Sequence, residues 1–367
     1  MIVAESGPML DQLTDDDICK ALDELIACFG IKEKAQFQDL LEFLRRKDTE
    51  RCIQGVATRL GLPVRINLSY VPRGFTPTNN DGFRSSSLVN TDWTGRGTGG
   101  ITAQVEVPRT LPMFGSSDLN GFSIRVRVSD DCLQHPEAFV AIMAHELSHV
   151  LLASLFHPQK DSELHADLVP LIFGFRDVVQ RGRKTVYCTT SGNTTTTHTT
   201  TYGYLTDSQF TFACNRIDDL LECQRIRKDR LTHLAAQLRR TLSIAEQQVT
   251  KFHEHLGYLD THPPKRMKPD DGQRVVKFHA SDYARNWQHG IERARDCVEQ
   301  ADRFAGALRH YTSGSADELE KQIKSLERAS DQLDQLLKSI TNDAKVMGRY
   351  LPLFRRILGW RLGFANR

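Results

Sequence analysis

Residues 143–169 read MAHELSHVLLASLFHPQKDSELHADLV. The stretch opens with an H-E-x-x-H motif, His145-Glu146-x-x-His149, set in an apolar run that reaches back to Pro136. Proline suits a first helical turn, where its missing N–H would have no helical partner. EAFVAIMAHELSHVLLASLF then reads as one long helix. Histidines four apart project from one helix face, and two imidazoles so placed can share a tetrahedral zinc ion. Glu146, next to His145, comes near such an ion without being forced to ligate it and can take a proton from an attacking water. The bland alternative is a core helix whose histidines bond locally, because a chance match is on the order of a few per cent. Against it stands the setting: Ala141, Ile142, Val150, Leu151 and Leu152 flank the motif, and buried polar groups cost free energy unless they are partnered.

The same stretch has to supply a third ligand. Leu152 and Leu155 stand where H-E-x-x-H-x-x-G-x-x-H would require Gly and His, which excludes that arrangement. His157 falls in the turn after the helix. Asp161 or Ser162 can cap a second helix, and on it Glu163 and Asp167, four apart, share a face. His165 lies about 200° round that helix from Glu163 and faces elsewhere. Glu163 as ligand, with Asp167 accepting from the N–H of a ligand histidine, uses both carboxylates. The reverse assignment and His165 as ligand remain as alternatives. Pro170 limits or kinks this helix.

Upstream, Thr14 is placed to cap a helix whose first turn is Asp15-Asp16-Asp17, with Ile18, Leu22, Leu25, Ile26 and Phe29 at helical spacing and Gly30 at its end. Two further helical runs lead to Gly61. PVRINLSYV (63–71) alternates with Val64, Ile66, Leu68 and Tyr70 on one face, as a strand does. ITAQVEV (101–107) and SIRVRV (123–128) alternate in the same way, and SIRVRV is the candidate edge for an extended substrate. Residues 189–202, TTSGNTTTTHTTTY, are Thr-rich, either a loop or a hairpin tip.

Downstream of Asp207 the pattern becomes helical, interrupted at 261–281, where three prolines and a charged run read as a loop. Leu231, Leu234, Leu238, Leu242, Ala245, Val249, Phe252, Leu256 and Leu259 form one seam. Trp287, Ile291, Ala294, Val298, Ala301, Ala305 and Leu308 form a second. The third is Ile323, Leu326, Ser330, Leu333, Leu337, Ile340, Ala344, Met347 and Leu351. Seams with 3-4 spacing bury against one another as a bundle, and Ser330 is a polar residue that can set register. The apolar, Arg-containing end at 350–364 is read as packing on the protein, in preference to touching a membrane surface.

The composition is that of a soluble globular chain: 40% hydrophobic, 26% charged, net charge +2 over 367 residues. That charge argues against nucleic acid as a partner. The opening residues are too acidic for a signal peptide, and no run of ~18 apolar residues is present. A cytoplasmic location is expected, with the eight cysteines, none in C-x-x-C, as free thiols.

H-E-x-x-H followed by Glu163-Leu164-His165-Ala166-Asp167 resembles the gluzincin metallopeptidases, and GYLTDSQFTFAC (203–214) is similar to a segment that follows the zinc site in zincin-like proteins of bacteria. The resemblance covers roughly residues 100–215. It implies zinc held by His145, His149 and Glu163, Glu146 as general base, and Asp167 orienting a histidine. The expected fold is α+β: an N-terminal helical segment (1–62), a zincin-like domain with a small β-sheet and an active-site helix (63–216), and a long-helix bundle (217–367). The expected activity is zinc-dependent hydrolysis of a protein or peptide substrate. Tyr202, Tyr204 and His198 are candidate donors to the developing oxyanion. Two other readings remain: hydrolysis of a bond other than a peptide, and a catalytically inactive zincin-like scaffold that binds a protein partner through its C-terminal helices.

Overall fold

The computed structural model describes residues 13–72, 83–84, 103–129, 133–191, 194–273, 281–308 and 311–351. The chain is mixed α+β and divides into two compact units, residues 1–222 with 310–313 and residues 223–309 with 314–367. The boundary thus lies a few residues beyond the expected 216, and the first 62 residues do not form a body of their own.

In the first unit, α1 (Asp15–Phe29) begins at Thr14 with a capping box: the Thr14 side chain accepts from the Asp17 N–H, and Asp17 accepts from the Thr14 N–H. It ends at Gly30, whose φ of 70° suits a residue without Cβ. Helices α2 (Gln38–Arg45) and α3 (Thr49–Arg59) follow. The three pack on later elements of the unit: α1 on the helix at Glu163–Ile172, α2 and α3 on the helix at Pro136–Ser154, and α3 on the strand at Arg65–Val71. Their apolar faces (Leu22, Leu25, Leu40, Ile53, Val56) are therefore part of one core and not of a separate segment.

The sheet contains β1 (Arg65–Val71), β2 (Phe83–Arg84), β3 (Ala103–Glu106) and β4 (Ser123–Ser129) in the order β1-β4-β3-β2. β4 runs parallel to β1, with Ile66 beside Ile124, and antiparallel to β3, with Val105 beside Val126. This corrects the expectation for SIRVRV. The strand is central, its Ile124, Val126 and Val128 are fully buried, and both its ladder edges are already paired. β1 departs from the expected alternation as well: Ile66 is buried and Leu68 half-buried, but Tyr70 is 54% exposed and Val71 turns inward.

α4 (Pro136–Ser154) is buried on nearly every side, as a helix apolar all round must be. It is the central element, touching α2, α3, β3 and the two helices that follow it, at Glu163–Ile172 and Arg176–Gly182. A Schellman motif ends it: the His157 N–H donates to Leu152 O (3.0 Å) and the Phe156 N–H to Ala153 O (3.0 Å). Phe156 occupies the left-handed position, φ 53°, that glycine normally takes. α5 (Glu163–Ile172) is capped by Ser162, carries Pro170 within it, and leads to α6 (Arg176–Gly182). The Thr-rich stretch is a hairpin of β5 (Lys184–Ser191) and β6 (Thr194–Thr201), paired from Lys184–Thr201 to Ser191–Thr194.

α7 (Asp207–Thr261) begins in the first unit and continues into the second, where its seam meets those of α8 (Ser281–Ala307) and α9 (Ser313–Gly348). Leu231, Leu238, Leu242, Ile291, Val298, Ile323, Leu326 and Leu333 form one cluster. Phe252, Leu256, Trp287, Ile340 and Met347 form another. Ser330 is half-exposed, and Ala329 takes the buried place beside Leu326 and Leu333. The register role expected for Ser330 therefore falls away. No described helix is long and apolar enough to cross a membrane. Residues 352–364 of the Arg-containing end lie outside the described residues. The six cysteines whose state is described are free thiols.

Candidate metal centre

α4 and α5 face each other across the site. His145 and His149, one turn apart on α4, present their rings edge to face with centroids 5.2 Å apart. Glu163, in the first turn of α5, points between them: its Oε2 lies 3.2 Å from His145 Nε2 and 3.5 Å from His149 Nε2. Among the described residues these three form the group whose ligand atoms converge, all within 4.8 Å of one another. The spacing fits a metal. Ligand atoms on a tetrahedral zinc with bonds of about 2.0–2.2 Å lie roughly 3.3–3.6 Å apart.

Proton placement supports the same fit. His149 Nδ1 lies 3.1 Å from the Lys160 carbonyl, which can only accept, so Nδ1 carries the hydrogen. His145 Nδ1 donates to Asp167 Oδ1 at 2.7 Å. In the neutral rings both Nε2 atoms therefore carry lone pairs directed at a carboxylate. That arrangement is repulsive unless a cation, metal or proton, sits among the three. The chain's own protons can supply part of it. Burial works against an imidazolium at His145, but the Asp167 charge and hydrogen bond outweigh it, aided by Glu163 and Glu146, and its pKa stands well above the usual value. Burial pushes Glu163 up, yet hydrogen bonds from His145 and His149, with their charges, prevail and hold its pKa at about 2.

Asp167 is fixed in turn. Besides His145 it accepts from the backbone N–H groups of Tyr204 (2.5 Å) and Leu205 (3.1 Å), both on Oδ2. Gly203, with φ 87°, brings this backbone to the carboxylate, and a Cβ there would sit 3.2–3.3 Å from both Asp167 oxygens. The Tyr204 ring stacks on His145, centroids 5.8 Å apart and planes at 28°. Glu146 is buried beside His145, and its charge acts on that ring.

The other histidines of the motif stretch are elsewhere. His157 lies in the turn after α4. His165 faces α1, with Nε2 3.3 Å from Glu24 Oε2 and Nδ1 3.0 Å from Ser162 Oγ. Their rings are 5.5 Å apart, on the side of α5 away from Glu163. Tyr202 joins the hairpin base through its N–H to Arg183 O (2.7 Å), and the His198 side chain lies outside the described residues. Sequence reasoning missed the backbone partners, Lys160 O and the Tyr204 and Leu205 N–H groups. The two N–H groups left one trace in the sequence, the Gly203 that precedes them in GYL.

No protein-family model, curated protein or solved structure matches the chain.

Proposed function

We propose that the protein is a zinc-dependent metallopeptidase of gluzincin type. One observation carries the reading: two lone-pair imidazole nitrogens, their Nδ1 hydrogens committed to Asp167 and Lys160, meet a carboxylate oxygen at tetrahedral-edge spacing. His145, His149 and Glu163 would hold the metal. When bound, zinc supplies Lewis acidity that lowers the pKa of a water and polarises a carbonyl. Asp167 holds the His145 ring in one tautomer. Glu146, buried next to the metal ligands, takes the proton of the attacking water and passes it to the leaving amine. His145 and Glu146 are buried, which strengthens the charge interactions between them, while Glu163 stays half-exposed and open to an incoming water or substrate. The test is cleavage of a protein such as casein by the zinc-loaded chain beside Glu146→Gln. Zinc binding by both and cleavage by the wild type alone is expected; zinc in both and cleavage by neither would refute the activity.

One observation favours the second reading, a scaffold that binds a protein through its helices. Ile226 and Ile244 of α7 are 57% and 49% exposed. Their separation is about five full helical turns, which puts them on one stripe. A protein captured by the wild type and lost with Ile226→Asp/Ile244→Asp would support that role.

A further inference from the structure

We propose that Arg183 is a positioning residue for the metal centre: it pins the backbone segment 202–205 against Asp167 and so holds the His145 ring in its ligating orientation. This rests on the metal-site reading above. Arg183 lies between α6 and β5, outside the ligand set, and is 6% exposed. Its Nη2 donates to Leu205 O at 2.5 Å. The N–H of the same Leu205 donates to Asp167 Oδ2. Leu205 is thus held by a cation on its carbonyl side and by a carboxylate on its amide side. The Arg183 carbonyl accepts the Tyr202 N–H at the other end of the segment. One residue therefore fixes both ends of Tyr202–Leu205. Between them, Gly203 passes over the Asp167 carboxylate and the Tyr204 N–H reaches Oδ2.

The guanidinium is placed for this task by its surroundings. It lies over the Phe210 ring, 4.5 Å from the centroid, and 3.4 Å from Asp207. Burial pulls its pKa down, against the opposing charges of Asp207 and Asp167. A planar fork can donate to Leu205 and stack on Phe210 together, whereas an ammonium cannot. The consequence is a chain of contacts, Arg183 to Leu205 to Asp167 to His145, that ends on a metal ligand. A residue that served only the fold would not reach so far.

The test uses the full chain with 15N-labelled histidine, as wild type, Arg183→Gln, Arg183→Lys and, as a control, Arg176→Gln. Arg176 is another buried arginine of the same unit, hydrogen-bonded to Leu171 O and ion-paired with Asp218. In the metal-free protein, exchange of the His145 Nδ1 proton with water should quicken roughly tenfold in Arg183→Gln as its hydrogen bond to Asp167 loosens. Zinc affinity should fall by roughly 10- to 100-fold, with Arg183→Lys between wild type and Arg183→Gln. Arg176→Gln should lower thermal stability and leave the His145 proton unchanged. Unchanged exchange and affinity in Arg183→Gln, or equal quickening in Arg176→Gln, would overturn the proposal. If Arg183→Gln does not fold, unchanged exchange in Arg183→Lys overturns it. Because the proton readout needs no metal, a wild type that binds no zinc would defeat the metal reading while leaving the clamp tested.

Discussion

Asp167→Asn removes one charge and almost no volume, yet it should weaken zinc binding by roughly 10- to 100-fold, about 1.4–2.7 kcal/mol. The carboxylate accepts three hydrogen bonds, from His145 Nδ1 on Oδ1 and from Tyr204 N and Leu205 N on Oδ2. An amide keeps one acceptor. If its oxygen turns to His145, the amide NH2 opposes two backbone N–H groups, each left unsatisfied at a cost of about 1–3 kcal/mol. If its oxygen stays on the backbone, the NH2 faces His145 Nδ1 and drives the ring hydrogen to Nε2, the nitrogen aimed at Glu163. The second arrangement is cheaper, and it blocks the metal. A competition titration against a chromogenic chelator measures the affinity, and the 15N spectrum of His145 reports which nitrogen holds the hydrogen. Affinity within about twofold of wild type, with the hydrogen still on Nδ1, would refute this account of Asp167.

Other outcomes follow from the same geometry. The raised pKa of His145 gives the metal-free protein stability that is fully present below the ordinary imidazole value of 6.5 and is lost as pH rises through the folded-state value. The difference in unfolding temperature between wild type and His145→Ala should therefore shrink above pH 6.5. Glu163 has the opposite sign: its contribution is present above about 4.5 and is lost as pH falls towards about 2, which urea titration of wild type against Glu163→Gln across that range would detect. Gly203→Ala forces a Cβ against both Asp167 oxygens at a left-handed φ and should cost about 1–3 kcal/mol in thermal unfolding along with zinc affinity. Phe156→Gly should stabilise the protein by about 0.5–1 kcal/mol, because it relieves a left-handed φ at a side chain that is 67% exposed.

The elements of the site that were legible are those whose side chains follow a period. Apolar spacing marked α4, and angular position on a helix separated Glu163 and Asp167 from His165. Pairing order is a different kind of information. Alternation in SIRVRV marks a strand but says nothing about which strands flank it, so β4 was misread as an edge. In α9 the seam shifts from Ser330 to Ala329 because 3-4 spacing allows neighbouring positions to exchange as the helices pack. Thr-rich composition fits a loop and a ribbon equally, so the β5–β6 hairpin emerged only from its ladder. The partners of Asp167 and His149 are backbone groups, which carry no residue-type signal, and Arg183 acts through one of them.

The central claim is that His145, His149 and Glu163 hold one zinc ion. Elemental analysis of the purified chain beside His149→Ala, each after equilibration with zinc and removal of the excess, tests it most directly. The account predicts about one zinc per wild-type chain and a large loss in the variant, since two ligands do not complete a tetrahedral protein site. A wild type without zinc, or equal zinc in the two proteins, would contradict it.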